Sequence, residues 1–198
     1  MTLKEFIINH DQPNAVILLE GKRGVLEADR PKLIQLGKIL VSTTKHMLFR
    51  SGNASGSDDF FSAGVAEIDA KRLQVITPYT GHRKKTNKAY ETVSLDQIDI
   101  AEEPVVIYQS RQNKKTEKLI DKYVAGARDR YSIKAAYIIR DTVKVLGSEN
   151  VSAATFGIFY DDLENPKSGG TGHTMKVCEE YDIPIVDQKV WMKWLKES

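Results

Sequence analysis

Two glycine-rich stretches carry the residues best suited to chemistry in this chain. The first, Arg50-Ser51-Gly52-Asn53-Ala54-Ser55-Gly56-Ser57-Asp58, lies between an apolar run, Met47-Leu48-Phe49, and a predicted helix. Glycines and small polar residues at such a junction let backbone approach a phosphate closely. The helix that follows aims unpaired N–H groups and the positive end of its dipole at the same place. The spacing G-x-x-x-G-x-D is neither the G-x-G-x-x-G dinucleotide fingerprint nor the G-x-x-x-x-G-K-[ST] phosphate loop, so neither enzyme class is assigned from it. The plainer reading is a strand-to-helix turn in which Gly52 and Gly56 relieve backbone strain and Ser57 or Asp58 caps the helix.

The second stretch, Ser168-Gly169-Gly170-Thr171-Gly172-His173-Thr174, repeats the device after a later strand. Gly169, Gly170 and Gly172 permit a nest of N–H groups, and the Thr171 and Thr174 hydroxyls add donors for a phosphate or the edge of a base. His173 has no second His, Cys or carboxylate at metal-ligand spacing, so no metal is expected and the imidazole is a donor to phosphate. Gly21, Lys22 and Arg23 follow the first strand, at the same end of the sheet, and Arg140 is a third cation. Its neighbour Asp141 can accept from a base or ribose hydroxyl. In Pro78-Tyr79-Thr80-Gly81-His82-Arg83, Tyr79 offers a ring for stacking on a base. Each has a bland counterpart: a solvated or paired surface charge, or a ring packed on its own loop.

The elements that must position these groups follow from periodicity. Residues 15–19 form a short β-rich apolar run ending at Gly21, a strand buried on both faces. Asp29 is placed to cap a helix with Pro31 in its first turn and Leu33, Leu36, Ile39 and Leu40 at helical spacing, ending near Lys45. Residues 47–51 give a second strand; Phe60, Phe61, Val65 and Ile68 line a second helix; residues 73–77 give a third strand. This β-α-β-α-β order makes parallel strands, with a ligand expected outside their carboxyl ends. Residues 80–88 are polar and basic, 105–108 read as a short strand, and the lysine-rich 114–122 reads as solvated helix or loop. Regular order resumes with a helix from Ser132, striped by Ala135, Ala136, Ile139, Val143 and Leu146 and ended by Gly147. A strand over 153–160, a polar loop over 161–168, a helix over 172–181, a last parallel strand over 183–186 and a closing helix over 190–195 complete the chain. The fold class is α/β: a single Rossmann-like domain over 1–198, its mainly parallel sheet sandwiched by helices, with a polar insertion at about 80–130.

Composition bounds the function. At 198 residues the chain suits one α/β domain. Twenty-nine basic against 27 acidic side chains leave a formal charge of +2, too small for a partner held by bulk electrostatics. The single cysteine, Cys178, excludes an internal disulfide and falls in a predicted helix, where a buried inert thiol is expected. No apolar run reaches membrane-spanning length, and residues 1–10 lack the pattern of a secretory leader, which fits a cytoplasmic protein without a membrane partner.

Together these motifs resemble the SMF/lonely-guy (SLOG) superfamily of Rossmann-like nucleotide-binding proteins. The resemblance rests on Glu20-Gly21-Lys22-Arg23 after strand one, Ser51-Gly52-Asn53-Ala54-Ser55-Gly56-Ser57-Asp58 after strand two, Ile139-Arg140-Asp141 on a helix, and the stretch 168–174, in that order along most of the chain. The stretch 51–58 is nearest to the S-G-x-A-x-G-x-D of the DNA-processing protein A branch, whose R-N pair is Arg140-Asp141 here. The phosphoribohydrolase branch carries P-G-G-x-G-T-x-x-E; here Ser168 replaces the proline and Lys176 stands where its catalytic glutamate falls, with Glu179 and Glu180 too late. The resemblance implies binding of a nucleotide or nucleotide-derived small molecule, for sensing or sequestering rather than chemistry. Two glycine turns would hold phosphates that Lys22, Arg23 and Arg140 neutralise; Asn53 and Asp58 would orient ribose or base; Thr171, His173 and Thr174 would close the other side. A nucleotide hydrolase with an unrecognised acid and a single-stranded DNA-binding module stand as alternatives. No cofactor is expected beyond the bound ligand, and a homo-oligomer stays open.

Overall fold

A computed structural model of the chain describes residues 1–197. Helices and strands follow in the order α1 (Leu3–His10), β1 (Val16–Gly21), α2 (Arg30–Thr43), β2 (Leu48–Ser51), α3 (Ser57–Asp69), β3 (Leu73–Thr77), β4 (Glu91–Ser94), α4 (Pro104–Arg111), α5 (Glu117–Val124), α6 (Ser132–Leu146), β5 (Phe156–Tyr160), α7 (Gly169–Glu180), β6 (Ile185–Val186) and α8 (Gln188–Trp194). The strands form one six-stranded parallel sheet in the order β4-β3-β2-β1-β5-β6. From β1 the chain steps outward to β4, then crosses back to place β5 on the other side of β1. Connections therefore diverge between β1 and β5, and a crevice opens there above the carboxyl ends of the strands. This is the Rossmann-like α/β architecture that the strand-helix alternation predicts.

Because successive strand residues point to opposite faces, β1 serves two cores. Ile17 and Leu19 pack with Phe6, Leu33, Leu36, Phe61, Trp191 and Trp194 from α1, α2, α3 and α8. Leu18 packs on the other face with Val145, Met175, Val177 and Cys178 from α6 and α7, while Ile76 of β3 meets α4, α5 and α6. Burial of both faces explains the near-continuous apolar runs of the inner strands. Chain ends meet in the first core. Phe6 stacks on Trp194 at 4.9 Å, Trp194 Nε1 donates to the Met1 carbonyl at 3.0 Å, and Leu3 N donates to Glu197 Oε2 at 2.9 Å.

The face beneath α6 also holds a polar stripe. Arg50 on β2, with no exposed surface, donates from Nε to Gln74 Oε1 on β3 (2.7 Å) and from Nη1 to the Lys144 carbonyl on α6 (2.8 Å), while its Nη2 has no partner. Burial pulls this guanidinium down to about 10.

Several local expectations are corrected. The stretch 105–108 is helical, within α4: Pro104 takes the first turn, where a missing N–H costs nothing, and Val106, Ile107 and Ser110 bury one face at helical spacing. The polar stretch 80–130 contains β4 on the sheet edge, α4 and α5. Helix α1, opened by a Thr2–Glu5 capping box, is an element the apolar pattern did not disclose. Helix α7 begins at Gly169 rather than Gly172, so the second glycine-rich stretch is itself a first helical turn. Strands β5 and β6 are shorter than expected, starting at Phe156 and Ile185. Asp29 precedes α2 but caps nothing; its carboxylate accepts from Lys32 Nζ (2.7 Å) and the Tyr160 hydroxyl (2.8 Å). Gly56, not Ser57 or Asp58, stands at the cap of α3.

Candidate functional site

A cleft of about 720 Å³ opens above the carboxyl ends of β1 and β5. Its walls are Glu20, Gly21, Lys22 and Arg23 at the end of β1, Ala54 and Asp58 from the turn after β2, one face of α6, and Ser168, Gly169, Gly170, Thr171 and His173 at the start of α7. Asn113, Lys115 and Thr116, just ahead of α5, close the remaining side. The structure thus brings together eleven residues singled out from sequence: Gly21, Lys22, Arg23, Ala54, Asp58, Arg140, Asp141, Gly169, Gly170, Thr171 and His173. It places Ser51, Gly52, Asn53, Gly56, Gly172 and Thr174 outside the lining, and Tyr79 in a separate pocket of about 210 Å³ with Pro78, Tyr123 and Arg128. Glu20 was quoted only as part of the first motif and Lys115 only within the lysine-rich stretch, while Lys134, Tyr137, Ile138 and Lys144 were not singled out. For α6 a signal existed: Lys134, Tyr137, Ile138, Asp141 and Lys144 recur at three- and four-residue intervals, one face of a helix.

The turn after β2 is organised around its own carboxylate. Asp58 Oδ2 accepts from the Gly52 N–H (3.1 Å) and the Ala54 N–H (3.2 Å). Ser57 Oγ donates to the Lys22 carbonyl (2.7 Å), tying the turn to the end of β1, and Asn53 Nδ2 donates to the His82 carbonyl (3.1 Å). These N–H groups, expected to face a phosphate, already have an acceptor within the chain. Gly52 instead makes room for cations, because a Cβ there would lie 2.0 Å from Arg140 Nη1 and 3.1 Å from Lys144 Nζ. Arg140 Nη1 donates to the Gly52 carbonyl, clamping the turn to α6. Gly56, at φ 90°, has a conformation that side chains avoid, and a Cβ there would meet the Arg23 carbonyl at 2.2 Å.

Beneath the cleft lies a buried charge array. Lys144 Nζ sits 2.6 Å from Glu20 Oε2 and 2.8 Å from Asp141 Oδ1, and Arg140 Nε is 3.0 Å from Asp141 Oδ1. That last pair is close but misaligned, leaving the Arg140 Nε–H without a hydrogen bond. Glu20 Oε1 is also without a partner. Three carboxyls (Glu20, Asp58, Asp141) face two cations, and the array responds as a surplus of negative charge should. Burial, with Asp58 and Asp141 adding to it against the Lys144 ammonium, pushes Glu20 up to about 7. Burial raises Asp58 as well. For Asp141 burial acts upward, but the Arg140 guanidinium and Lys144 ammonium outweigh it and hold the carboxyl below its ordinary value.

The start of α7 faces this array. Its cap residue Ser168 makes no side-chain hydrogen bond to the helix, and a Cβ on Gly170 would lie 3.3 Å from Asp141 Oδ2, so a carboxylate already stands near these N–H groups. His173 Nε2 is 3.1 Å from Thr142 Oγ1, and burial holds its imidazole below the ordinary value, favouring the neutral ring. Thr174 Oγ1 turns back to the Gly170 carbonyl (3.2 Å), and a Cβ on Gly172 would meet the Lys167 carbonyl at 1.9 Å, so Gly172 serves close packing. At the rim Lys22 pairs with Asp162 at 3.4 Å, while Arg23, Lys115 and Lys134 are exposed. Tyr79 borders the cleft wall: its hydroxyl interacts with that of Tyr137, and its ring packs edge-on to His82 (5.1 Å), which packs on Tyr137 (5.6 Å), over which the Arg140 guanidinium lies at 5.6 Å.

Lys176 pairs with Glu180 at 3.4 Å, Lys167 with Glu179 at 2.5 Å, and Glu180 accepts from Gln109; none of Lys176, Glu179 or Glu180 lines the cleft. Among the described residues no group of three or more His, Cys, Asp or Glu could hold a metal ion, and no helix is long and apolar enough to cross a membrane. Cys178 is buried, and burial pushes its thiol up to about 12.

Fold and site define a doubly wound parallel α/β domain with a polar cleft at its switch point. No protein-family model and no curated protein matches the chain. Among solved structures it is similar to DNA processing protein A from Helicobacter pylori, described for its single-stranded DNA binding mode, at 15% identity and a TM-score of 0.46 over 89% of this chain. The chain spans 66% of that protein's length.

Proposed function

We propose that the cleft binds a nucleotide or nucleotide-derived small molecule and senses or sequesters it without chemistry. One observation carries this reading: residues from the end of β1, both glycine-rich turns and α6 converge on a single cleft at the switch point of a parallel sheet, where such folds take ligands. Its volume of about 720 Å³ suits a small molecule, the exposed Arg23, Lys115 and Lys134 offer charge-assisted bonds to phosphates, and Tyr137 and Ile138 give an apolar wall for a base. At the position of the hydrolase glutamate stands Lys176. Lys176 and the two glutamates that follow it are engaged with other partners outside the cleft.

Thermal-shift screening against nucleotides tests the reading, since a ligand at 100 times its dissociation constant adds about 2.7 kcal/mol. No stabilisation by any nucleotide up to millimolar concentration would remove it. Release of free base from adenosine or guanosine monophosphate would restore the hydrolase alternative. Steeply salt-dependent retention on single-stranded oligonucleotides, lost on alanine substitution across 114–122, would favour the DNA-binding one.

A further inference from the structure

Charges in the cleft are sorted by depth. Arg23, Lys115 and Lys134 stand exposed at the rim, and among the described residues they form no ion pair. On the floor, carboxyls outnumber cations, and the cations turn to them and to the backbone: Lys144 to Glu20 and Asp141, Arg140 to the Gly52 carbonyl and, with its Nε–H misaligned and unpartnered, to Asp141. Acceptors are left over. Glu20, 3% exposed, has an unpartnered Oε1, and Asp58, also 3% exposed, uses Oδ2 for the turn's N–H groups while no donor among the described residues reaches its Oδ1. A phosphate driven to this floor would meet three carboxyls, and at the start of α7 it would have to displace Asp141. A neutral polyol would find acceptors there without that repulsion.

We propose that the ligand enters hydroxyl edge first, its ribose 2′- and 3′-hydroxyls bonding Glu20 and Asp58 on the floor while its phosphates stay at the rim with Arg23, Lys115 and Lys134. The cleft then selects ribonucleotides over 2′-deoxyribonucleotides, and Glu20 is a specificity-determining residue. The arrangement suits a nucleotide's shape, because the 2′,3′ edge of the sugar lies away from both its 5′-phosphate and its base. That leaves the base against Tyr137 and Ile138. Raised affinity of Glu20 for its proton fits the role, since a carboxyl poised near neutrality both donates to and accepts from hydroxyls.

This inference rests on the nucleotide-binding reading, and one titration series separates the two. Calorimetry would compare the four ribonucleoside diphosphates, their 2′-deoxy counterparts and pyrophosphate on the wild type, Glu20→Gln, Glu20→Ala and Lys134→Ala. Expected is a preference of about ten-fold or more for ribose over deoxyribose in the wild type, the scale of one hydrogen bond to a charged acceptor. That ratio should fall toward unity in both Glu20 variants, whose folds are checked by circular dichroism, with deoxynucleotide affinity little changed. Lys134→Ala should weaken ribo-, deoxy- and pyrophosphate ligands alike and keep the ratio. Equal binding of ribo- and deoxynucleotides by the wild type, or a ratio that survives both Glu20 variants, overturns the sugar-first orientation and leaves the nucleotide site standing. Failure of every ligand to bind overturns both.

Discussion

Replacing the Glu20 carboxyl with the amide of glutamine keeps its shape and removes its charge, which isolates what that charge does. Its folded value of about 7 lies above the ordinary 4.5, so between those values the folded protein holds a proton that the unfolded chain has released. Stability contributed by this group is therefore greatest below pH 4.5, falls as pH rises through that window, and the full cost of burying the carboxylate is present above pH 7. Glu20→Gln should gain melting temperature relative to wild type as pH goes from 5 to 8; parallel curves would mean that Glu20 does not titrate there. The glycines make a second residue-scale contrast. Gly52→Ala places a Cβ 2.0 Å from Arg140 Nη1, so the guanidinium must leave its clamp, whereas Gly170→Ala meets only the end of the Asp141 side chain at 3.3 Å. Gly52→Ala should lose ligand binding and about 1–3 kcal/mol of stability. Gly170→Ala should fold and unfold like wild type, and equal losses in chemical denaturation would count against this account.

At the scale of elements, Arg50 joins β2, β3 and α6 through two hydrogen bonds while keeping a buried N–H unpaired and no carboxylate within ion-pair distance among the described residues. A buried charge so placed gives back in desolvation much of what its bonds contribute. Arg50→Met, which fills the same volume, should stay within about 1.5 kcal/mol of wild type in urea denaturation, while Arg50→Ala, which leaves a cavity, should lose about 3 kcal/mol or more. An Arg50→Met loss as large as that of Arg50→Ala would make the hydrogen bonds, not the packing, decisive. Such polar groups also mark where sequence reading stopped. Strands β1, β2 and β3 and helices α2, α3 and α6 were legible because each buries a periodic apolar set, and the parallel order placed the ligand end of the sheet. Edge strand β4 buries little, and the β-branched start of α4 fits strand or helix equally until Pro104 is weighed. For α1 the Thr2–Glu5 capping box was there to be used. Glu20 entered only as the first residue of the turn motif after strand one, and Lys144 was not singled out at all. Their pairing across 124 positions is a product of the fold, which local spacing does not encode.

For the whole molecule, the contact between α1 and α8 has a consequence for connectivity. The Met1–Trp194 and Leu3–Glu197 hydrogen bonds join residues 193 and 194 positions apart. Closing a loop of nearly the full chain carries the largest entropy cost of any contact of this type, so this seam should form late in folding. Residues 1–3 and 194–197 already touch, so a short linker can join them. A circular permutant, linked from 197 to 1 by a few Gly and Ser residues and opened in the exposed stretch 84–86, should keep the fold and fold faster, because its most distant contact has become its most local. Stopped-flow refolding would reveal this, and an unchanged folding rate would mean that the seam is already closed in the transition state. The cleft lies on strand ends away from the seam, so the permutant should still take its ligand: what the sheet specifies is an arrangement in space, which a new order of connection leaves intact.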